Sequence, residues 1–139
     1  MLDPTIAAAI IKASGGIIEK LFQVYNSKNP EDHAKTVVGK TYDKLVPHIS
    51  TQCVRVLRAL KKANAYQNPS QVLAEAEKMR KRQEPDIPPF EIDLTYRLKF
   101  LCLLGLVEMA SQTDYAITQF GAQFLDKAHG DFRYSKAFA

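Results

Sequence analysis

Apolar residues recur along this chain mostly at the spacing of an α-helix, and the interruptions fall where helices begin and end. The first run opens at Asp3 as N-cap, with Pro4 in the first helical position, where proline's fixed φ and missing N–H are best tolerated. Ile6, Ile10, Ile17, Leu21 and Val24 then repeat at helical spacing, and Ile11, Ile18, Phe22 and Tyr25 widen the stripe. Gly15 and Gly16 in its middle each cost about 1 kcal/mol relative to alanine unless close packing or a kink uses the missing side chain. Lys12, Glu19 and Lys20 interrupt the run before it reaches the roughly 20 apolar residues that span a bilayer. The expectation is an arm that packs on a partner helix through Ile6, Ile10, Ile17, Leu21 and Val24. Burial in its own core and insertion at a membrane surface are the alternatives, and its few charges disfavour the latter.

Three further helices are predicted before residue 84. Asn29 and Pro30 open one, with Glu31 and Asp32 in the first turn, where the helix dipole favours carboxylates. Ala34, Val37, Val38, Tyr42 and Leu45 line its buried side and Pro47 ends it. The next, about Ser50 to Ala63, buries Val54, Val56, Leu57 and Leu60 and carries Arg55, Arg58, Lys61 and Lys62 on another face. Asn68-Pro69-Ser70-Gln71 has the form of a capping box and starts the last, with Val72, Leu73, Ala76 and Met79 inward. Lys78-Met79-Arg80-Lys81-Arg82 closes it, a placement that suits either the helix dipole or an anionic ligand. Pro85, Pro88 and Pro89 require a loop.

From Phe90 to Phe100 apolar and polar residues alternate, which is the pattern of a strand. Leu94, Leu98, Leu101 and Leu104 nevertheless form a ridge at helical spacing, and Gly105 suits the residue after a helix C-terminus. We therefore expect a helix from Asp93 to Leu104. A hairpin follows, Leu106–Met109 and Tyr115–Ile117 around Ser111-Gln112-Thr113-Asp114. Thr118 caps a final helix, with Phe120, Phe124 and Leu125 inward and Gly130 at its end. Phe132, Tyr134 and Phe138 in the tail show no clear period, leaving docking and disorder both open.

Charge changes the picture more than composition does. Residues 48–82 hold eight Lys and Arg against two Glu, whereas residues 83–139 hold five cations against eight carboxylates. The chain of 139 residues has room for one sizeable core. Cys53 and Cys102 match no metal spacing and are expected to be reduced thiols in a cytoplasmic protein. His33, His48 and His129 stand in no readable catalytic constellation, and there is no glycine-rich phosphate loop, so an enzyme, a metal and a cofactor are not expected.

Leu98-Lys99-Phe100-Leu101, Leu104-Gly105-Leu106-Val107-Glu108 and the run from Tyr115 through Thr118, Gly121 and Phe124 to Leu125 resemble the winged helix-turn-helix superfamily, over about residues 49–129. The resemblance implies a recognition helix ending at the Leu104–Val107 strand entry and a wing at the hairpin. In members that bind double-stranded DNA, that helix enters the major groove and the wing touches backbone or minor groove. Thr95, Tyr96, Arg97 and Lys99 would then face the DNA. Glu91, Asp93, Phe100 and Leu103 depart from that chemistry, as does a wing with Glu108 and Asp114 but no cation.

The expected fold class is mainly α with a small β-hairpin: an N-terminal two-helix arm over residues 1–47, a winged-helix domain over 48–130 and a tail over 131–139. The expected function is non-catalytic nucleic-acid binding, like that of a transcription regulator, with dimerisation through the arm. The candidate contacts are Arg55, Arg58, Lys61, Lys62, Lys78, Arg80, Lys81, Arg82, Thr95, Tyr96, Arg97 and Lys99. The alternative is a protein-interaction or oligomerisation module that uses the same scaffold without DNA.

Overall fold

The computed structural model describes residues 30–90, 94–111 and 113–139. The first expected helix, with Ile6, Ile10, Ile17, Leu21 and Val24, lies outside these residues. Helix α1 (Pro30–Leu45) runs into a 3₁₀ turn, Val46–His48, and is followed by α2 (Thr51–Ala63), α3 (Pro69–Gln83) and α4 (Thr95–Leu103). Strands β1 (Val107–Ala110) and β2 (Asp114–Ile117), helix α5 (Gln119–His129) and a 3₁₀ segment, Phe132–Phe138, complete the order. The described residues are thus mainly helical with one antiparallel hairpin, in which Val107 faces Ile117 and Ala110 faces Asp114.

Helix α2 is the centre of the packing. It touches α3, α4, α5, β2 and the C-terminal 3₁₀ segment, and Val54, Val56, Leu57 and Leu60 are completely buried. Ser50 starts it by accepting the Cys53 N–H, and Asn64 ends it in the left-handed conformation that asparagine tolerates. The capping box of α3 forms as its sequence implies: Asn68 Oδ1 accepts the Gln71 N–H at 2.9 Å, and Gln71 Oε1 accepts the Asn68 N–H at 3.0 Å. Between these helices Gln67 bridges Tyr115 through two backbone hydrogen bonds of 2.8 Å. This isolated bridge beside the two-stranded hairpin is too short to leave a periodic signal.

The conflict over residues 90–100 is decided by burial. Leu94, Leu98, Leu101 and Leu104 are all at most 1% exposed, whereas Tyr96 of the alternating set is 44% exposed. Burying the leucine ridge therefore fixes a helix over Thr95–Leu103, and residues 91–93 fall outside the described set. Gly105 adopts φ 75°, its N–H donates to Cys102 O, and the Leu106 N–H reaches back to Leu101 O. That pair of bonds is a Schellman motif, which turns the chain directly into β1.

Thr118 ties the pieces together. Its hydroxyl donates to Gly105 O at 2.6 Å and accepts the Gly121 N–H at 3.0 Å, while its own N–H donates to Leu106 O. Helix α5 consequently crosses so close to the strand entry that a Cβ on Gly121 would lie 2.0 Å from Leu106 O.

The packing bears on the helix before Pro47 and on the tail. Helix α1 packs along α5, and Val37, Val38, Tyr42 and Leu45 belong to the common core, so residues 30–45 are part of the body and not of a separate arm. The tail is docked: Tyr134 and Ala137 are buried, Tyr134 donates to Ile49 O at 2.7 Å, and burial pushes its phenol up to about 12. Tyr42 donates to Asp131 at 2.8 Å, which clamps α1 to the start of the tail.

Candidate nucleic-acid interface

The basic residues of α2 and α3 separate into an internal set and a solvent-facing set. Arg55 is 0% exposed. Its Nε donates to Gln83 at 2.9 Å and its two terminal nitrogens to Gln52 and Glu84, each at 2.5 Å. It is a structural hub closing α2 against the end of α3 and is not available to a phosphate. The expectation that it lies off the buried face as a nucleic-acid contact fails because α2 is central and buries most of its girth.

Arg80 is corrected in the same way. It is 4% exposed, forms a fork on both carboxylate oxygens of Glu77 at 2.7 and 3.0 Å, and donates to Ile87 O. Glu77 also accepts the Phe90 N–H at 2.8 Å, and the Arg80 hydrogen bond, followed by this one, holds its carboxyl below the usual range. The pair fastens the proline-rich loop to α3.

Arg97 lies elsewhere, with its guanidinium 5.7 Å from the Phe90 ring centroid and 3.4 Å from Ser50 Oγ. Lys99 and Tyr96 are exposed on α4 and Thr95 is half-buried. Leu103 is 41% exposed and Met109 of β1 is 48% exposed. Tyr96 and Leu103 thus make the outer side of α4 partly apolar, whereas Met109 shares the hairpin face of Val107 and Tyr115, and among the candidate contacts only Lys99 is both cationic and exposed on α4.

The remaining cations do converge. Lys62 reaches Glu75 at 2.7 Å, and Lys62, Lys78 and Arg82 together hold the Glu75 carboxyl below its usual range, the Lys62 hydrogen bond being the largest cause. Arg58 is held below the ordinary guanidinium value first by burial and then by Arg82. Arg58, Lys61 and Lys62 line one concavity of about 290 Å³, together with Leu125, Asp126, His129 and Phe138. Lys61 faces Asp126 at a loose 3.4 Å, with both side chains substantially exposed, so that pair neutralises little in water. Lys81 is exposed farther along α3.

Lys62, Lys78 and Arg82 thus act together on Glu75, and Arg58, Lys61 and Lys62 share the concavity with Asp126. The C-terminal segment borders it: Arg58 donates to Ala137 O at 2.6 Å and sits 5.1 Å from the Phe138 ring centroid. After burial, the like charge of Arg82 is what disfavours the Arg58 cation. The contribution of His129 and Phe138 escaped the sequence, because the tail that brings Phe138 to α2 has no period.

Among the described residues there is no group of three or more His, Cys, Asp or Glu side chains able to hold a metal, and no helix long and apolar enough to cross a membrane. Cys102 is half-buried and burial raises its thiol to about 11, which leaves it a poor nucleophile. No protein-family model, curated protein or solved structure matches the chain.

Proposed function

We propose that this chain is a non-catalytic, winged-helix-like module that binds nucleic acid through the phosphate backbone, using the α2–α3 surface and not the outer face of α4. The observation that carries the reading is the convergence of Arg58, Lys61, Lys62, Lys78 and Arg82. The winged-helix likeness is supported by a helix ending at Gly105, a hairpin and a Thr118-capped helix in that order. Binding of this kind is insensitive to sequence and falls steeply with salt, because each neutralised phosphate releases condensed counterions. The α4 side offers base edges little beyond Lys99, so base-specific reading in a major groove is not part of the proposal. Fluorescence anisotropy with a generic duplex at low and moderate salt tests it. No binding at either salt rejects the reading.

The exposed Tyr96 and Leu103, two turns apart on one side of α4, favour a second reading, in which the outer face of α4 docks a protein partner or a second copy. Light scattering of wild type and Leu103→Glu separates the cases. A self-associating wild type whose variant is monomeric supports self-docking; equal masses reject it. The arm residues Ile6, Ile10, Ile17, Leu21 and Val24 remain candidates for dimerisation, tested in the same instrument by removing residues 1–26.

A further inference from the structure

The concavity beside α2 contains more than charge. His129 and Phe138 stack with ring centroids 4.6 Å apart and planes inclined by 17°, and Leu125 adds an apolar wall. His129 is exposed, so its ring presents apolar and π surface to solvent next to Arg58, Lys61 and Lys62. The Arg58 guanidinium has five N–H donors and directs one nitrogen at Ala137 O. An aromatic platform flanked by cations is the combination that holds one nucleotide of a single strand: the base stacks and the phosphate meets the cations. A duplex keeps its bases stacked on each other and engages only the cations.

We infer that this concavity, resting on the phosphate-binding reading above, seats an unpaired nucleotide, with its base extending the His129–Phe138 stack and its phosphate on Lys61, Lys62 and Arg58. The recess, about 290 Å³, is close to the lower end of known small-ligand pockets, roughly 300 Å³, and admits one such unit. Asp126 on its lining lies beside Lys61, and Glu75 holds Lys62 at 2.7 Å, so the phosphate is centred on Arg58 and shares Lys61 and Lys62 with these carboxylates. The surface therefore prefers single-stranded over double-stranded nucleic acid, independently of sequence.

The test uses the full chain and a fluorescent oligothymidylate of about ten nucleotides, within the usual range of single-strand site sizes, alongside a duplex of equal length. Wild type is expected to bind the single strand more tightly. His129→Ala, at an exposed position and with unchanged thermal unfolding, is expected to weaken single-strand binding about five- to hundredfold, the range of one lost base stack, and to leave duplex binding unchanged. His129→Phe restores it. A nucleoside monophosphate competes for the single strand better than inorganic phosphate or the nucleoside does. Equal losses on both nucleic acids, or phosphate competing as well as the nucleotide, overturn the inference while the phosphate-binding reading survives. Binding to neither nucleic acid overturns both.

Discussion

Replacing Arg55 with alanine separates a structural arginine from a nucleic-acid contact, because the two roles call for opposite results. The guanidinium is fully buried and serves Gln52, Gln83 and Glu84 together. Removing one member of a buried pair costs about 3–5 kcal/mol, most of it the stranded partner. Glu84 retains 16% exposure and has Lys136 at 3.8 Å, which places the polar loss near about 3 kcal/mol on that scale. The lost methylenes beyond Cβ add about 1.5 kcal/mol at roughly 0.8 kcal/mol each. A total near about 4–5 kcal/mol is a large share of a stability of roughly 5–15 kcal/mol, and lowers Tm by about 15–20 °C at roughly 4 °C per kcal/mol for a chain of this size. Arg55→Met keeps the stem and isolates the polar part, with a loss of about 3 kcal/mol. Guanidinium unfolding followed by circular dichroism reads both. A change below about 1 kcal/mol in Arg55→Ala with loss of nucleic-acid binding would refute the hub and restore Arg55 as a contact.

Other substitutions probe separate parts of the account. Gly121→Ala should be severely destabilising, by more than about 2 kcal/mol for an overpacked site, because its Cβ meets Leu106 O and Ile117 Cγ1; thermal unfolding within a degree of wild type would contradict that packing. Ser50→Ala removes the acceptor for the Cys53 N–H and should lower stability by about 1 kcal/mol, with no effect on nucleic-acid affinity. Asp131 is held well below the usual carboxylate range, chiefly by Arg133, with Tyr42 also contributing. A depressed folded-state value stabilises above the unfolded value of about 3.9 and is lost as pH falls below it. Asp131→Asn should therefore be less stable than wild type at pH 7, and the gap should narrow below about pH 4; a gap independent of pH would show that the charge is not responsible.

Residues whose role depends on neighbours in sequence were legible, and those whose role depends on distant packing were not. The capping box at Asn68, the Gly105 turn and the Thr118 cap are local hydrogen-bond problems with few solutions, and all three form as their residues imply. The leucine ridge outweighed the alternating pattern at Phe90–Phe100 because one continuous buried face is worth more than exposed alternation. Arg55 and Arg58 lie one helical turn apart, yet one is internal and the other borders the concavity. That difference is set by Gln83 and Glu84 at the end of α3 and by Ala137 and Phe138 in the tail, contacts that no local periodicity encodes. The same holds for Gln67, whose bridge to Tyr115 spans one residue.

The proposed nucleic-acid surface lies on α2 and α3, and not on α4. Its most direct test is the salt dependence of duplex affinity for wild type, for Lys62→Glu/Lys78→Glu/Arg82→Glu and for Lys99→Glu, each verified as folded. Log Kd of wild type should rise linearly with log salt, the triple variant should lose both affinity and about 0.9 of slope per phosphate contact removed, and Lys99→Glu should stay close to wild type. Full binding by the triple variant, with affinity lost in Lys99→Glu, would contradict it and return the interface to α4.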